Sequence, residues 1–210
     1  MLYVPLYHRV DRAIETHFVY FKQSAQVVLP GEPLSTPFSV CLTFDDATRD
    51  FYEIAFPLLK RHRLRALLAV PVDLIGREGF CSWDQLKEMA HSGSVEIASH
   101  SVYHHNLIQT SNLDKEIKSS KQILQHRLGV SVKTFVYPYG KFNHTIHQQV
   151  KQEYEFVMRI GTSWNRDWQN RSGMIYRIVV DPSLSPETFF SFNKKITYFW
   201  FYHLNSLRNR

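Results

Sequence analysis

The sequence predicts an α/β fold, a distorted (β/α) barrel of about seven strands in a single domain. Seven short runs rich in β-branched and aromatic residues have the length and composition of strands. Helical periodicity separates most of these runs, which is typical of parallel strands joined by helices. Acidic residues or histidines directly follow two of the runs, at the end of the strands where parallel α/β folds carry their chemistry. The runs cover residues 3–6, 39–44, 66–72, 95–99, 134–137, 156–160 and 176–180.

The clearest predicted helix covers residues 113–128, where apolar side chains recur near the helical period. Asn112 is its expected N-cap and Gly129 its expected C-cap. Two further helices are predicted for residues 50–62 and 83–91. Residues 30–37 are predicted to form a turn-rich local connection.

Length and charge narrow the class of protein. The chain has 210 residues, of which 44% are hydrophobic, enough for one packed core. It carries 25 Lys and Arg against 19 Asp and Glu, a formal charge of +6. The basic residues are scattered, without the basic stripe and interleaved aromatics of a nucleic-acid-binding protein, so we expect no nucleic-acid partner. The charge permits a weak attraction to anionic glycans or to a membrane surface.

The ends of the chain and its cysteines bear on localisation. The N-terminus shows no basic segment followed by a long apolar one, so we expect a cytoplasmic protein. Cys41 and Cys81 lack C-x-x-C spacing and fit a reducing compartment or two buried apolar side chains. The aromatic segment 196–202 is far shorter than the roughly 20 residues of a membrane span. We expect it to pack on the body or to cap a barrel end, with membrane contact as the second interpretation.

Two clusters of polar residues suggest a metal site. Asp45 and Asp46 follow the run 39–44, and His100 and His104 follow the run 95–99. One carboxylate and two imidazoles form a three-ligand set for a zinc-like divalent ion with an open position for water, as in catalytic sites. The second carboxylate can then take a proton from that water. The alternative is that the Asp pair only caps the helix that follows it.

With these residues the chain resembles the polysaccharide deacetylase family, carbohydrate esterase family 4, over roughly residues 3–180. The stretch 43–47 looks like the family's first motif, T-F-D-D-G, and the stretch 100–104 matches its second, H-[ST]-x-x-H. Residues 137–140 look like its third motif, R-x-P-Y-G, in the branch with an aromatic residue in place of Arg.

The resemblance implies a role for each motif residue. Asp46, His100 and His104 would bind the divalent metal, expected to be zinc, and Asp45 would be the general base. The backbone N–H of Tyr139 would help to hold the oxyanion. Residues 1–210 would then form a polysaccharide deacetylase-like catalytic domain.

Two observations concern the surroundings of the site. Ala47 stands where the family usually has Gly, which indicates that the backbone there need not adopt a conformation reserved for glycine. Trp164 and Trp168 are candidates for lining an acetyl or sugar pocket, with core packing as the alternative.

The general acid has no clear candidate in the sequence. The family's late Leu-x-His motif is absent, since no histidine lies between His147 and His203. His105, His144 and His147 are candidates, although each also fits a surface or supporting position. Asp45, once protonated, is a further one, because one carboxylate can act first as base and then as acid.

The function expected from the resemblance is a metal-dependent hydrolase that removes N-acetyl groups from amino sugars of a glycan. Its partner would be an N-acetylated glycan or sugar conjugate. Two alternatives stay open. One is a metal-dependent deacylase of a small or lipid-linked substrate, and the other is a glycan-binding protein that has lost turnover along with the late histidine.

Overall fold

Seven parallel strands form a closed barrel, in agreement with the predicted fold class. The computed structural model describes residues 1–34, 38–161, 165–170 and 172–187. The strands follow one another around the barrel in the order β10, β2, β5, β6, β7, β8 and β9, and every neighbouring pair is parallel. Their bounds are β2 Pro5–Tyr7, β5 Leu42–Phe44, β6 Ala66–Val70, β7 Val95–Ser99, β8 Thr134–Val136, β9 Phe156–Ile160 and β10 Ile175–Val179.

A small parallel sheet adjoins the barrel and explains where two predicted strands are divided. It is built from β1 Leu2–Tyr3, β4 Ser39–Val40 and β3 Gln26–Val27, in the order β1, β4, β3. The predicted run 3–6 therefore divides at Val4 between β1 and β2, and the run 39–44 divides at Cys41 between β4 and β5.

Helices cover the outside of the barrel. They are α1 Ile14–Ser24, α2 Phe56–His62, α3 Trp83–His91, α4 Ser120–Leu128 and α5 His144–Glu153. A π-helical turn precedes α2 at Phe51–Ala55 and another precedes α4 at Lys115–Ser119. In the described residues, no helix is long and apolar enough to cross a bilayer.

Local chemistry accounts for the helix ends that the sequence predicts. The side chain of Asn112 accepts a hydrogen bond from the N–H of Lys115 at 3.0 Å, and Gly129 ends α4 with a φ of 70°. The predicted N-cap and C-cap are therefore confirmed. Ser82 and Gln85 form a reciprocal capping box at the start of α3, whose predicted bounds are also confirmed.

Apolar side chains fill both the barrel interior and the layer between the barrel and the helices. On β6, Leu67 and Ala69 point inward while Leu68 and Val70 pack under the helices. A strand buried on both faces reads as a continuous apolar run, which is why the sequence identifies it. Glu96 and Ala98 lie on the inward face of β7. His100 continues this alternation just past the carboxyl end of the strand.

Candidate functional site

Polar side chains from four strands meet at the carboxyl end of the barrel. His8 follows β2, Asp45 and Asp46 follow β5, and His100 follows β7. Tyr139 follows β8, and its ring centroid lies 4.8 Å from that of His104. The structure thus brings together all five site residues that the sequence predicts, which come from three separate stretches of the chain.

Asp46, His100 and His104 converge on one point. The separations are 3.5 Å from His104 Nε2 to Asp46 Oδ1, 3.9 Å from His100 Nε2 to Asp46 Oδ1, and 3.1 Å between the two Nε2 atoms. Two ligand atoms of a tetrahedral zinc site with bonds of about 2 Å lie about 3.3 Å apart. These three side chains therefore have the spacing and the donor atoms that suit zinc.

Two details of this cluster fit a cation. Asp46 Oδ1 is buried and has no hydrogen-bond partner within the described part of the chain. His100 Nδ1 lies 2.8 Å from the carbonyl oxygen of Val136, so Nδ1 donates a hydrogen bond and Nε2 keeps its lone pair for the cluster. Burial lowers the pKa of His100, with the charge of His104 acting in the same direction, and the neutral imidazole is the form that binds metals.

The backbone around the site is strained. Among the described residues, seven other than glycine have a positive φ, and five of them lie at this end of the barrel. A left-handed conformation costs an L-residue roughly 1–2 kcal/mol, and such residues concentrate at functional sites. The five are Asp46, Ala47, Ser101, His104 and Tyr139, with φ values of 70°, 52°, 65°, 56° and 56°.

The expectation at Ala47 is wrong. Its φ of 52° lies in the region that favours glycine, and its methyl group is fully buried. The Ala47 carbonyl accepts a hydrogen bond from Cys81 N at 2.9 Å, so contacts with the loop before α3 help to hold the turn in place. Tertiary contacts therefore impose a conformation that alanine alone would avoid.

Asp45 forms a buried ion pair that the sequence does not reveal. Arg177 of β10 donates from Nη1 to Oδ1 at 2.6 Å and from Nη2 to Oδ2 at 2.9 Å, and both side chains are at most 2% exposed. Burial alone would raise the pKa of Asp45, but the charge of Arg177 and its hydrogen bonds to the carboxylate outweigh it and leave the pKa below its ordinary value. The carboxylate is therefore held ionised and fixed in direction.

His8 is the histidine that sequence reasoning missed. Its Nε2 lies 4.0 Å from Asp45 Oδ2, and the side chain is 42% exposed, so a ligand at the site can reach it. The sequence does contain one signal, since His8 comes directly after a strand, as the Asp pair and His100 do.

The histidines considered in the sequence lie in other environments. His147 is buried, with Nδ1 3.2 Å from the Tyr137 hydroxyl and Nε2 3.1 Å from the Ser172 carbonyl oxygen, so both ring nitrogens have structural partners. His144 is exposed at the start of α5. His105 is also exposed, and its Nδ1 lies 3.2 Å from Glu116 Oε1.

Trp168 belongs to the core. It packs on Phe156 at the amino end of β9 with the ring centroids 6.0 Å apart, and its Nε1 donates to the Glu32 carbonyl at 2.7 Å. It is 9% exposed and belongs to the barrel's interior cluster, so the alternative of core packing is confirmed. Trp164 and the aromatic segment 196–202 lie outside the described residues.

The sequence is similar to a known protein family and to several named bacterial proteins. The family model described as polysaccharide deacetylase matches residues 35–157. YxkH of Bacillus subtilis (strain 168) is 27% identical over 173 residues, which cover 80% of this chain and 60% of that protein. The poly-β-1,6-N-acetyl-D-glucosamine N-deacetylase of Staphylococcus aureus (strain MRSA252) is 31% identical over 120 residues, which cover 50% of this chain and 41% of that protein.

A solved structure shares the fold. The polysaccharide deacetylase BC0361 from Bacillus cereus superposes with a TM-score of 0.82 at 21% identity, over 93% of this chain and 68% of that one. The chain spans about 60% and 41% of the length of the two curated relatives, so each of them contains sequence with no counterpart here.

Proposed function

Because this chain belongs to the polysaccharide deacetylase family, we propose that it is a zinc-dependent hydrolase that removes N-acetyl groups from amino sugars of a glycan. One observation carries the proposal. The ligand atoms of Asp46, His100 and His104 all lie within 4.8 Å of one another, and the ionised carboxylate of Asp45 lies beside them. A site that only bound metal or sugar would have no need of that extra carboxylate.

Asp46, His100 and His104 would hold the zinc ion, since two nitrogens and one oxygen are a common donor set for catalytic zinc. When bound, zinc would polarise the amide carbonyl of the acetyl group and lower the pKa of the attacking water. That the metal is zinc rather than another divalent ion is part of the proposal.

Asp45 is the proposed general base. Its Oδ2 lies 3.7 Å from His100 Nε2, which supports a role as base toward a water bound beside the three ligands. Water adds to the carbonyl carbon and gives up a proton to this carboxylate. Arg177 keeps Asp45 in the ionised form that can accept the proton, although the same pairing makes it a weaker base.

His8 is the proposed general acid. The carbon–nitrogen bond breaks only if the leaving amine nitrogen receives a proton, and acetate leaves with the oxygen from water. His8 Nε2 lies 4.0 Å from Asp45 Oδ2, and its partly exposed ring can donate to a substrate nitrogen. It would fill the role that the missing late histidine leaves open, with proton return from Asp45 as the alternative.

Tyr139 completes the proposed site. Its backbone N–H would bind the oxyanion that forms on the acetyl carbonyl, as expected from the motif. Tyr139 itself has a φ of 56°, and Pro138 before it restricts the loop. Its side chain is 61% exposed beside His104, where it forms part of the rim that a sugar ring would approach.

A substrate series tests the proposal. We expect the zinc-loaded protein to release acetate and free amine in equal amounts from oligomers of β-1,6-linked N-acetylglucosamine, the polymer in the name of the S. aureus relative. The N-acetylglucosamine monomer and a lipid-linked N-acetylglucosamine serve as comparisons. Cleavage of the lipid-linked compound alone would favour the small-substrate deacylase, whereas binding of oligomers without any acetate would favour the glycan-binding protein.

A further inference from the structure

One buried carboxylate holds the loop that carries both metal-binding histidines. This His loop comprises residues 100–104, and Glu116 lies beneath it with 1% of its surface exposed. The Oε2 atom of Glu116 accepts hydrogen bonds from the backbone N–H groups of Val102 and Tyr103, each at 3.0 Å. The other oxygen, Oε1, lies 3.2 Å from Nδ1 of His105.

The position of these two amides explains why the loop needs a buried hydrogen-bond acceptor. Ser101 and His104 both have positive φ, and the amides of Val102 and Tyr103 lie between them. A turn of this kind aims successive N–H groups at one point and forms a small anion-binding hollow. Without an acceptor these N–H groups would be buried without partners, and the left-handed residues on either side would have less to hold them.

The π-helical turn before α4 places the Glu116 carboxylate under the His loop. Glu116 lies in the π-helical turn Lys115–Ser119, and the hydroxyl of Ser120 donates to the Glu116 carbonyl oxygen at 2.8 Å. π-Helical turns are rare, and those that occur are frequently at functional sites. On its other side, the loop is tied to the segment after β6, where Val72 N and Asp73 N donate to the carbonyl oxygens of Ser101 and Val102.

We propose that Glu116 is a positioning residue that fixes the His loop in its metal-binding conformation before the metal arrives. The proposal rests on the proposed function for the metal site and for the identity of the metal, zinc, but not for turnover. Glu116 does not touch the metal position itself. It acts through the backbone between His100 and His104, by setting the separation of their two Nε2 atoms, which is 3.1 Å.

Zinc affinity is the direct test, measured on metal-free protein by competition with a chromophoric chelator. We expect Glu116→Ala to weaken zinc binding by roughly 10- to 100-fold, the usual effect of losing a residue that supports metal ligands. Glu116→Gln should stay within about threefold of the wild type, since one amide oxygen can accept from both N–H groups. In hydrogen exchange, the amides of Val102 and Tyr103 should exchange faster in Glu116→Ala alone.

Leu124→Ala is the matched control. Leu124 is fully buried on the same helix and belongs to the apolar core, so its loss weakens the fold without removing the acceptor under the loop. We expect this variant to melt at lower temperature and yet to bind zinc as the wild type does. Equal loss of zinc affinity in Leu124→Ala and Glu116→Ala would overturn the proposal, and so would unchanged affinity in a folded Glu116→Ala.

If Glu116→Ala fails to fold, Glu116→Asp takes its place. Its carboxylate is one methylene too short to reach both amides, so zinc affinity should fall in the same direction. The test is independent of turnover: a wild-type protein that binds zinc but releases no acetate would refute the proposed function and leave the comparison of zinc affinities intact.

Discussion

The two ends of the barrel each contain a carboxylate that points inward, and the two are stabilised in opposite ways. At the carboxyl end, Asp45 is paired with Arg177, and its pKa lies below the ordinary value. At the amino end, Glu96 of β7 forms no hydrogen bond or ion pair with any other described residue. Burial raises the pKa of Glu96 to about 7, although the charge of Lys133 acts in the other direction.

The difference shows what a buried charge requires. Desolvation disfavours the ionised form of both carboxylates, and at Asp45 the Arg177 guanidinium at hydrogen-bonding distance outweighs it. At the carboxyl end, Arg177 is the charged partner of Asp45. Several residues around this pair have a strained, left-handed backbone conformation. At the other end no described residue pairs with Glu96, so its ionisation costs stability.

We expect the largest effects from substitutions at the proposed zinc site, at the carboxyl end of the barrel. Asp46→Ala or His100→Ala should abolish zinc retention, because each removes one of three ligands. Asp45→Asn should keep the metal and lose at least about a hundredfold in turnover, because an amide cannot take the proton of water.

Metal analysis and acetate release on the purified variants check both statements, with Glu96→Gln as the control from the opposite end. Equal metal loss in Asp45→Asn would contradict the division of roles between the two aspartates.

The next effect concerns the buried ion pair. Arg177→Met should destabilise the metal-free protein by roughly 3–5 kcal/mol, since it leaves Asp45 buried and unpaired. The double variant Arg177→Met with Asp45→Asn should recover most of that loss, because no buried charge remains. Urea denaturation of the wild type and of both variants gives the values, and a loss below about 1 kcal/mol in the single variant would mean that Asp45 finds another partner.

His8 should account for the missing acid. His8→Gln should lower turnover by about a hundredfold or more, the usual contribution of a general acid, while zinc binding stays as in the wild type. Single replacement of His105, His144 or His147 should cost less than replacement of Asp45. Steady-state rates on zinc-loaded variants decide the matter, and a hundredfold loss in just one of those three, with metal content unchanged, would assign the acid to that residue instead.

The smallest expected effect lies at the amino end. The pKa of Glu96 is raised in the folded state, so ionisation destabilises the fold as pH rises from about 4.5, near the unfolded value, to about 7. Glu96→Gln should therefore match the wild type at pH 4 and be more stable above pH 7. With allowance for partial exposure we expect about 1–2 kcal/mol. Thermal unfolding across this range checks it, and an equal difference at pH 4 and pH 8 would show that charge is not the cause.

The sequence predicts those features of the molecule that depend on residues close together in the chain. The strands 95–99 and 156–160 have the predicted bounds, because both lie in short apolar runs. The proposed metal ligands could be predicted because His100 and His104 are four residues apart and follow a strand. Such patterns are contained within a few neighbouring residues, and one sequence is enough to display them.

Features that depend on distant parts of the chain were missed. Arg177 lies 132 residues from Asp45, and as a single charged residue in an apolar run it gives no local sign of a partner. The proximity of His8 to Asp45 arises only in the closed barrel, where the end of β2 lies beside the end of β5. The positive φ of Ala47 is set by the contacts of its turn and contradicts the local preference of alanine.

We propose above that Asp46, His100 and His104 hold one zinc ion, and acetate release should depend on that ion. Titrating metal-free protein with zinc while following acetate release from an N-acetylglucosamine oligomer tests it most directly. We expect that acetate release rises with zinc, saturates at one zinc per chain, disappears with a chelator and is absent in His100→Ala. Acetate release that is unaffected by a chelator, or that persists in His100→Ala, would contradict it.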